Sequence, residues 1–294
     1  MFMVPAKMKI LKNRTAYFFS IGPILILVLG ASIQKQKNIP EMVKVDGGSF
    51  TMGCTDEQFN CGGDEKPTHQ VKVAPFFMGK YEVTVNQWKE YIQATGMEMP
   101  QHEPEWGWDA GDGNFPMVHV SWLDVVGYCN WLSREEGLKE VYSFTGITHN
   151  HIKADPTANG YRMPTESEWE YAARGGAKNN GRQFSGSDTL ENVAWYKENA
   201  SSPSVVGKKQ PNELGLFDMS GNVDEWCQDV YSDYYYEDKP LKDPTGPERG
   251  THRVIRGGNY EQIKDHHRVS IRDYDNPRYA FDILGFRVAR KANK

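Results

Sequence analysis

Asp218 and Glu225 flank a tight Gly221-Asn222-Val223 turn, so two carboxylates and several backbone carbonyls fall within eight residues. Hard oxygen donors from one loop suit Ca²⁺, whereas Mg²⁺ demands a stricter octahedron. The plainer use of the same acids is to cap turns on an acidic surface. Asp265, His266 and His267 stand together, and imidazole with carboxylate can ligate iron, copper or zinc. Adjacent side chains in extended backbone point to opposite faces, so this trio reads first as a polar rim. His149 and His151, in Thr-His-Asn-His, would share one side of a strand but have no acidic third ligand beside them. His119, next to Val-Ser-Trp, reads as a satisfied core histidine. Tyr231-Ser-Asp-Tyr-Tyr-Tyr236 is an exposed aromatic run that can grip a glycan or peptide, or pack over the Asp218 loop.

The four cysteines are of two kinds. Cys54 and Cys61 lie in Met-Gly-Cys-Thr-Asp-Glu-Gln-Phe-Asn-Cys-Gly-Gly, a polar loop with little else to hold it. In an oxidising compartment a disulfide is expected there. Cys129 falls in a helical pattern and Cys227 follows Trp226; these two either pair or remain buried thiols. No Cys-x-x-Cys or Cys/His spacing of the zinc type occurs.

The compartment is suggested by the first residues. Lys7, Lys9, Lys12 and Arg14 precede an apolar run from Ala16 to Ala31, and residues 1–32 hold no acid. A basic region, a short apolar core and small residues at Gly30, Ala31 and Ser32 read as a secretory signal peptide, with a single membrane anchor as the alternative. Either places the remainder outside the cytoplasm, secreted, periplasmic or in the cell envelope. That remainder carries 30 basic and 39 acidic groups, a net −9, so nucleic acid is not an expected partner. The membrane is met only through the N-terminal segment if it is uncleaved.

The elements that must position these residues are short. Residues 33–44 form a polar linker and 45–291 one domain. Gly48–Met52, His69–Val73 and Phe76–Val83 alternate as strands do. Thr84 with Gln87, Ser121 before Trp122, and Thr165 with Glu168 mark three helix starts. From 177 to 252 regular periodicity is nearly absent, which in a compact domain points to function or to a bound metal. Arg253–Tyr260 and Leu284–Ala289 close the chain as strands. The class is α+β, with few helices, short strands and much irregular loop. The 28 Gly, 15 Tyr and 8 Trp fit turns and small sheets plugged by rings.

Several ordered segments resemble the formylglycine-generating enzyme (sulfatase-modifying factor) family along residues 42–290. They are Met42-Val-Lys-Val-Asp-Gly-Gly-Ser-Phe-Thr-Met-Gly53, Met78-Gly-Lys-Tyr-Glu-Val-Thr84 and Pro116-Met-Val-His-Val-Ser-Trp122. There follow Gly160-Tyr-Arg-Met-Pro-Thr-Glu-Ser-Glu-Trp-Glu-Tyr-Ala-Ala-Arg-Gly-Gly176, Asn212 to Trp226, Val254-Ile-Arg-Gly-Gly258 and Gly285-Phe-Arg287. The resemblance implies a C-type-lectin-like fold with bound calcium. It assigns ligands to the Asp218 and Glu225 side chains and the Gly221 and Val223 carbonyls, with Asn192 and Val193 opening a second site.

The family's oxidases bind copper through two cysteines shortly after the last Gly-Gly, since Cu(I) prefers soft thiolates. Here Asn259-Tyr-Glu-Gln-Ile-Lys-Asp-His-His-Arg268 follows Gly257-Gly258, and no Cys occurs after Cys227. Asn259 replaces the family's usual Ser, and Asp224 the usual aromatic of the calcium turn. Copper is therefore not expected and no catalytic residue is assigned. A groove around Asp224, Asn259, Tyr260, His267, Arg268 and Arg272 is expected to bind a peptide, glycan or envelope protein, its arginines suited to carboxylate or sulfate. The alternative is an oxidoreductase, making formylglycine in sulfatases or using His266 or His267 in another metal-dependent oxidation.

Overall fold

Helix starts are set by side chains that reach back to the backbone. In the computed structural model, which describes residues 38–100, 113–146, 152–236 and 242–292, α1 (Val85–Thr95) begins after Thr84. The Thr84 hydroxyl accepts from the Gln87 N–H, and the Gln87 side chain accepts from the Thr84 N–H. α2 (Trp122–Glu135) repeats the device with Ser121 and Asp124, and α3 (Glu166–Ala173) with Thr165 and Glu168. Each box satisfies two donors that a helix end would otherwise orphan. Gly96 ends α1 in the left-handed region at φ 71°, where a Cβ would be strained. A single turn, α4 (Leu190–Val193), precedes the calcium-type loop.

The strands are β1 (Met42–Val45), β2 (Gly48–Met52), β3 (His69–Val73), β4 (Phe76–Gly79), β5 (Tyr142–Phe144), β6 (Ile152–Ala154) and β7 (Tyr161–Arg162). After the long irregular stretch come β8 (Asp224–Val230), β9 (Arg253–Arg256), β10 (Asp273–Asp275), β11 (Leu284–Gly285) and β12 (Ala289–Lys291). One antiparallel sheet has the order β1-β4-β12-β7, and the other has the order β10-β9-β8-β11, with β11 parallel to β8. β2-β3 and β5-β6 are separate hairpins. One core packs α1 and α2 rings, with Trp88 stacked on Tyr128 at 5.3 Å and both edge-on to Phe286. A second core gathers Trp169, Tyr171, Phe50 and Cys227 between α3 and β2, β3 and β8. Each fully buried large apolar side chain contributes about 1.5–3 kcal/mol.

Several expectations change. β1 starts at Met42, inside the expected linker 33–44, because it pairs with β4. The Phe76 strand stops at Gly79 instead of Val83. Leu284–Ala289 divides, its first part joining β8 and its end starting β12 on the other sheet. β8 lies inside the stretch that reads as irregular. Six of its seven residues are buried, and a strand covered on both faces shows no alternation to read. The expected leader at 1–32 and His149 and His151 lie outside the described residues.

Cys54 and Cys61 form a disulfide. Cys129 and Cys227 are free and buried, which settles the open pairing. The Cys54–Cys61 loop is also tied to α3, since the Gly53 N–H donates to Glu170 and the Gly53 carbonyl accepts from Arg174. Replacing both cysteines with Ala is expected to lower the unfolding free energy by about 2.5 kcal/mol, the loop-closure entropy of so short a ring. Urea denaturation measures it. Equal stability of the two proteins would mean that the polar ties alone hold the loop.

Candidate functional site

β9 ends at a bend that only glycine allows. Gly257 and Gly258 have φ of 105° and 75°, and a Cβ on Gly258 would stand 2.4 Å from the His266 carbonyl oxygen. The bend lets a short 3₁₀ turn, Lys264–His267, fold back over the strand end. A cavity of about 240 Å³ remains between them, lined by Asp224, Arg256, Gln262, His266, Arg272 and Asp273 beside Ile255 and Ile271. Asn259 braces one wall: its side-chain amide donates to Asp224 at 2.6 Å and its side-chain oxygen accepts from the Glu261 N–H at 2.9 Å. Asp224 is 6% exposed. Burial pushes its carboxyl up to about 8, against the Asn259 hydrogen bond. Burial also raises Asp273 on the opposite wall.

Of the residues expected in a groove, only some border this cavity. Asp224 and Arg272 line it and Asn259 supports it. Tyr260, His267 and Arg268 are buried, at 2%, 0% and 1% exposure. Arg268 does not await an anion: it makes two hydrogen bonds to Glu65, at 2.7 and 2.9 Å. Arg272 is likewise paired, its Nε donating to Glu166 at 2.6 Å and Nη2 at 3.0 Å. Arg256 donates to Glu170 and stands 3.8 Å from Glu166. These arginines are counter-ions for buried glutamates, so the expectation that Arg268 and Arg272 recognise a carboxylate or sulfate is corrected. Both His267 ring nitrogens face carbonyl acceptors at 3.0 Å, Nδ1 that of Ile263 and Nε2 that of Asn259, and burial lowers its pKa against them. Asp265 accepts from Asn60 on the disulfide loop at 2.9 Å. The Asp265, His266, His267 trio thus diverges. Among the described residues no group of three or more His, Cys, Asp or Glu is placed to share a metal ion.

The Asp218 loop is a second polar centre. Asp218, Gly221 and Asn222 all have positive φ, at 56°, 84° and 68°. Asp218 accepts from the Gly207 N–H at 2.7 Å through Oδ2, while its buried Oδ1 has no hydrogen-bond partner. Sequence reading missed Glu82, which lies buried nearby. Its Oε1 accepts from Asn222 at 2.9 Å, and its Oε2 also has no hydrogen-bond partner. Burial, then the Asp218 charge, raises Glu82 strongly, and burial pushes Asp218 up to about 6. Glu225 differs from its expected part as a free ligand. Its oxygens accept from Arg287 at 2.5 and 2.7 Å and from the Trp169 indole at 2.8 Å. Asp218 Oδ1 and Glu82 Oε2 are thus two buried carboxyl oxygens that make no hydrogen bond. At the second expected position Val193 is buried, and the exposed Asn192 accepts from the Gln210 N–H through its carbonyl at 2.9 Å.

The aromatic run is split. Tyr231 stacks on Tyr274 at 4.1 Å, Tyr234 is 72% exposed, and Tyr236 is fully buried. His119 is not a core residue: partly exposed, with φ 58°, it pairs with Asp282 at 2.7 Å.

Residues 30–292 match the family model described as the sulfatase-modifying factor enzyme 1-like domain. The serine/threonine-protein kinase pkn1 of Chlamydia pneumoniae is 30% identical over 275 residues, covering 88% of this chain and 39% of that relative. The chain thus spans about two fifths of that kinase's length. The formylglycine-generating enzyme of Streptomyces coelicolor is 29% identical over 309 residues, covering 85% of this chain and 89% of the enzyme. Among solved structures, Treponema denticola variable protein 1 superposes with a TM-score of 0.73 at 30% identity, covering 85% of this chain and 95% of that one.

Proposed function

Since the chain belongs to the sulfatase-modifying factor enzyme 1-like family and has its α+β, C-type-lectin-like fold, we propose that it is an extracytoplasmic member that binds a peptide, glycan or partner protein without oxidising it. The carrying observation is the lining of the Gly257-Gly258 cavity. The resemblance puts the oxidases' copper thiolates shortly after the last Gly-Gly, and beside that bend this chain presents Asp224, Gln262, His266 and Asp273. The free thiols of Cys129 and Cys227 are buried elsewhere and raised by burial, which is the wrong condition for a thiolate ligand. Residence outside the cytoplasm is supported by the Cys54–Cys61 disulfide. No helix among the described residues is long and apolar enough to cross a membrane.

Calcium completes the reading as a structural ion. Glu82, Asp218 and Glu225 surround one guanidinium, Arg287, so the ionised cluster lacks positive charge. Asp218 Oδ1 and Glu82 Oε2, with backbone carbonyls of the Gly221-Val223 turn, would hold the ion; hard oxygens are the donors it takes.

The protein mixed with Cu(I) and a sulfatase-motif peptide is expected to yield no formylglycine above the copper-free control and no peptide-dependent oxygen uptake. Mass spectrometry and an oxygen electrode measure both. Stoichiometric copper binding with Cys-to-formylglycine conversion would establish the oxidoreductase reading in its place.

A further inference from the structure

We propose that the Cys54–Cys61 disulfide is a thiol-exchange site, opened by a dithiol that attacks Cys54 while Cys61 leaves beside Arg268. Its opening loosens the Lys264–His267 turn over the Gly257-Gly258 cavity. The exchange is independent of what that cavity binds.

Arg268 makes the two sulfurs unequal. Both cysteines are half-buried, so access does not choose between them. Arg268 is 1% exposed, and its Nη1 donates to Cys61 Sγ at 3.5 Å. Among the described residues no donor reaches Cys54 Sγ. The Nη1 hydrogens are shared among Glu65 at 2.7 Å, the Ser270 hydroxyl at 2.9 Å and Cys61. A bonded sulfur is a weak acceptor, but a thiolate attracts a guanidinium more strongly than a neutral hydroxyl does. The Cys61 contact therefore tightens as that sulfur takes up charge, and an interaction that strengthens along the reaction lowers its barrier. Glu65 keeps the guanidinium in place through a second hydrogen bond, from Nη2 at 2.9 Å.

The exchange runs in two steps. A thiolate of the dithiol attacks Cys54 Sγ, forming a mixed disulfide there as the Cys54–Cys61 bond breaks. Cys61 departs as a thiolate, the form that an adjacent arginine favours. The second thiolate of the dithiol then attacks the dithiol's first sulfur, and Cys54 departs and takes a proton from water. Two electrons thus pass from the dithiol, which ends as a disulfide, to the cysteine pair. The same side chains carry the consequence to the cavity. Asn60, inside the ring, donates to Asp265 at 2.9 Å, and Arg268 Nε donates to the Asp265 carbonyl at 3.1 Å. Arg268 Nη2 also donates to the Asn60 carbonyl at 3.4 Å. Asp265 belongs to the Lys264–His267 turn, whose His266 lines the cavity. With the ring open, residues 55–60 regain chain freedom, and the turn loses its outer support.

The test treats the folded protein briefly with 2-mercaptoethanol, quenches with acid and maps the mixed disulfide by mass spectrometry. The adduct is expected on Cys54 about fivefold or more over Cys61, part of the worth of one charged hydrogen bond. Equal adducts, or an excess on Cys61, would overturn the assignment of the leaving group. Glu65→Gln combined with Arg268→Gln should erase the preference. Replacing a buried pair as a whole costs far less than breaking it from one side, and should the variant not fold, the adduct map of the unaltered protein still decides. A preference that survives in the folded variant would remove Arg268 from the exchange. For the turn, the backbone order parameter of the His266 amide is measured before and after dithiothreitol. It is expected to fall from about 0.85 to below about 0.6 while the Trp88 amide of α1 stays rigid. An unchanged His266 would break the link from disulfide to turn. Equal loosening of Trp88 would make the disulfide a general tie of the fold and overturn its local role.

Discussion

Glu225→Ala is expected to destabilise the protein by about 3–5 kcal/mol, the cost of breaking a buried pair from one side, and to do so with calcium present or chelated. Three donors converge on Glu225: Arg287 Nε, Arg287 Nη2 and the Trp169 indole N–H. Removing the carboxylate leaves a guanidinium at 0% exposure without its counter-ion. Arg287 cannot swing to water, because the Gly79 and Phe217 carbonyls also hold it. Asp218→Ala should behave in the opposite manner. In chelator at pH 5, where its carboxyl is still protonated, it loses one hydrogen bond from the Gly207 N–H, about 1 kcal/mol. In calcium it also loses the ligand-linked increment, about 2.7 kcal/mol at a hundred times Kd. Urea melts of both variants in Ca²⁺ and in EDTA give four numbers. A calcium increment that survives Asp218→Ala would remove Asp218 from the ion's ligands, and a Glu225→Ala loss confined to calcium would make Glu225 a ligand after all.

The second large effect concerns pH. In EDTA, stability is expected to fall between pH 5 and pH 8. Asp218 is raised from 3.8 to about 6 and Asp224 from 3.8 to about 8, both by burial first, while Glu82 is raised by burial and the Asp218 charge. Above pH 4 the unfolded chain has released these protons and the folded chain still holds them. The folded state binds more protons, so its stability declines as pH rises through the folded pKa values and levels off above them. Asp218 alone accounts for a loss on the order of 3 kcal/mol between about pH 4 and pH 6, about half of it above pH 5. Glu65 and Glu166, which arginines hold low against the effect of burial, act in the reverse sense below pH 4, and His267, which burial lowers, opposes the decline only up to about pH 6.5. Saturating calcium keeps Asp218 ionised and removes its share of the decline. Stability that rises from pH 5 to pH 8 in EDTA would contradict the assignment of these acids as protonated.

What was legible in the sequence was mostly local. Thr84 with Gln87 and Thr165 with Glu168 announce helix starts because both halves of each cap lie three residues apart. The Cys54–Cys61 link spans only seven residues. The Gly-Gly bend and the calcium-type turn are visible as short motifs. The charge pairing that decides the site is not: Arg268 meets Glu65 across 203 residues, Arg272 meets Glu166 across 106, and Arg287 meets Glu225 across 62. Read singly, an arginine beside a proposed groove suggests an anion ligand. Only the fold shows that the anion is already an internal glutamate. β8 was missed for a related reason, since burial on both faces erases the alternation that marks a half-covered strand.

β4 pairs on one side with β1 and on the other with β12, while β11 joins β8 in the second sheet. β11 and β12, the last strands among the described residues, are therefore the ones that complete both sheets, and they bracket Arg287, the partner of Glu225. A nascent chain that has emerged only as far as Ile283 has an unpaired β4 edge, an unpaired β8 edge and an uncompensated glutamate in its centre. Such pairings between distant parts of a chain form slowly, and open edges invite association with other chains. Completion of either sheet in this protein thus waits on β11 and β12. A chain that is threaded through a pore before it folds loses nothing by that order.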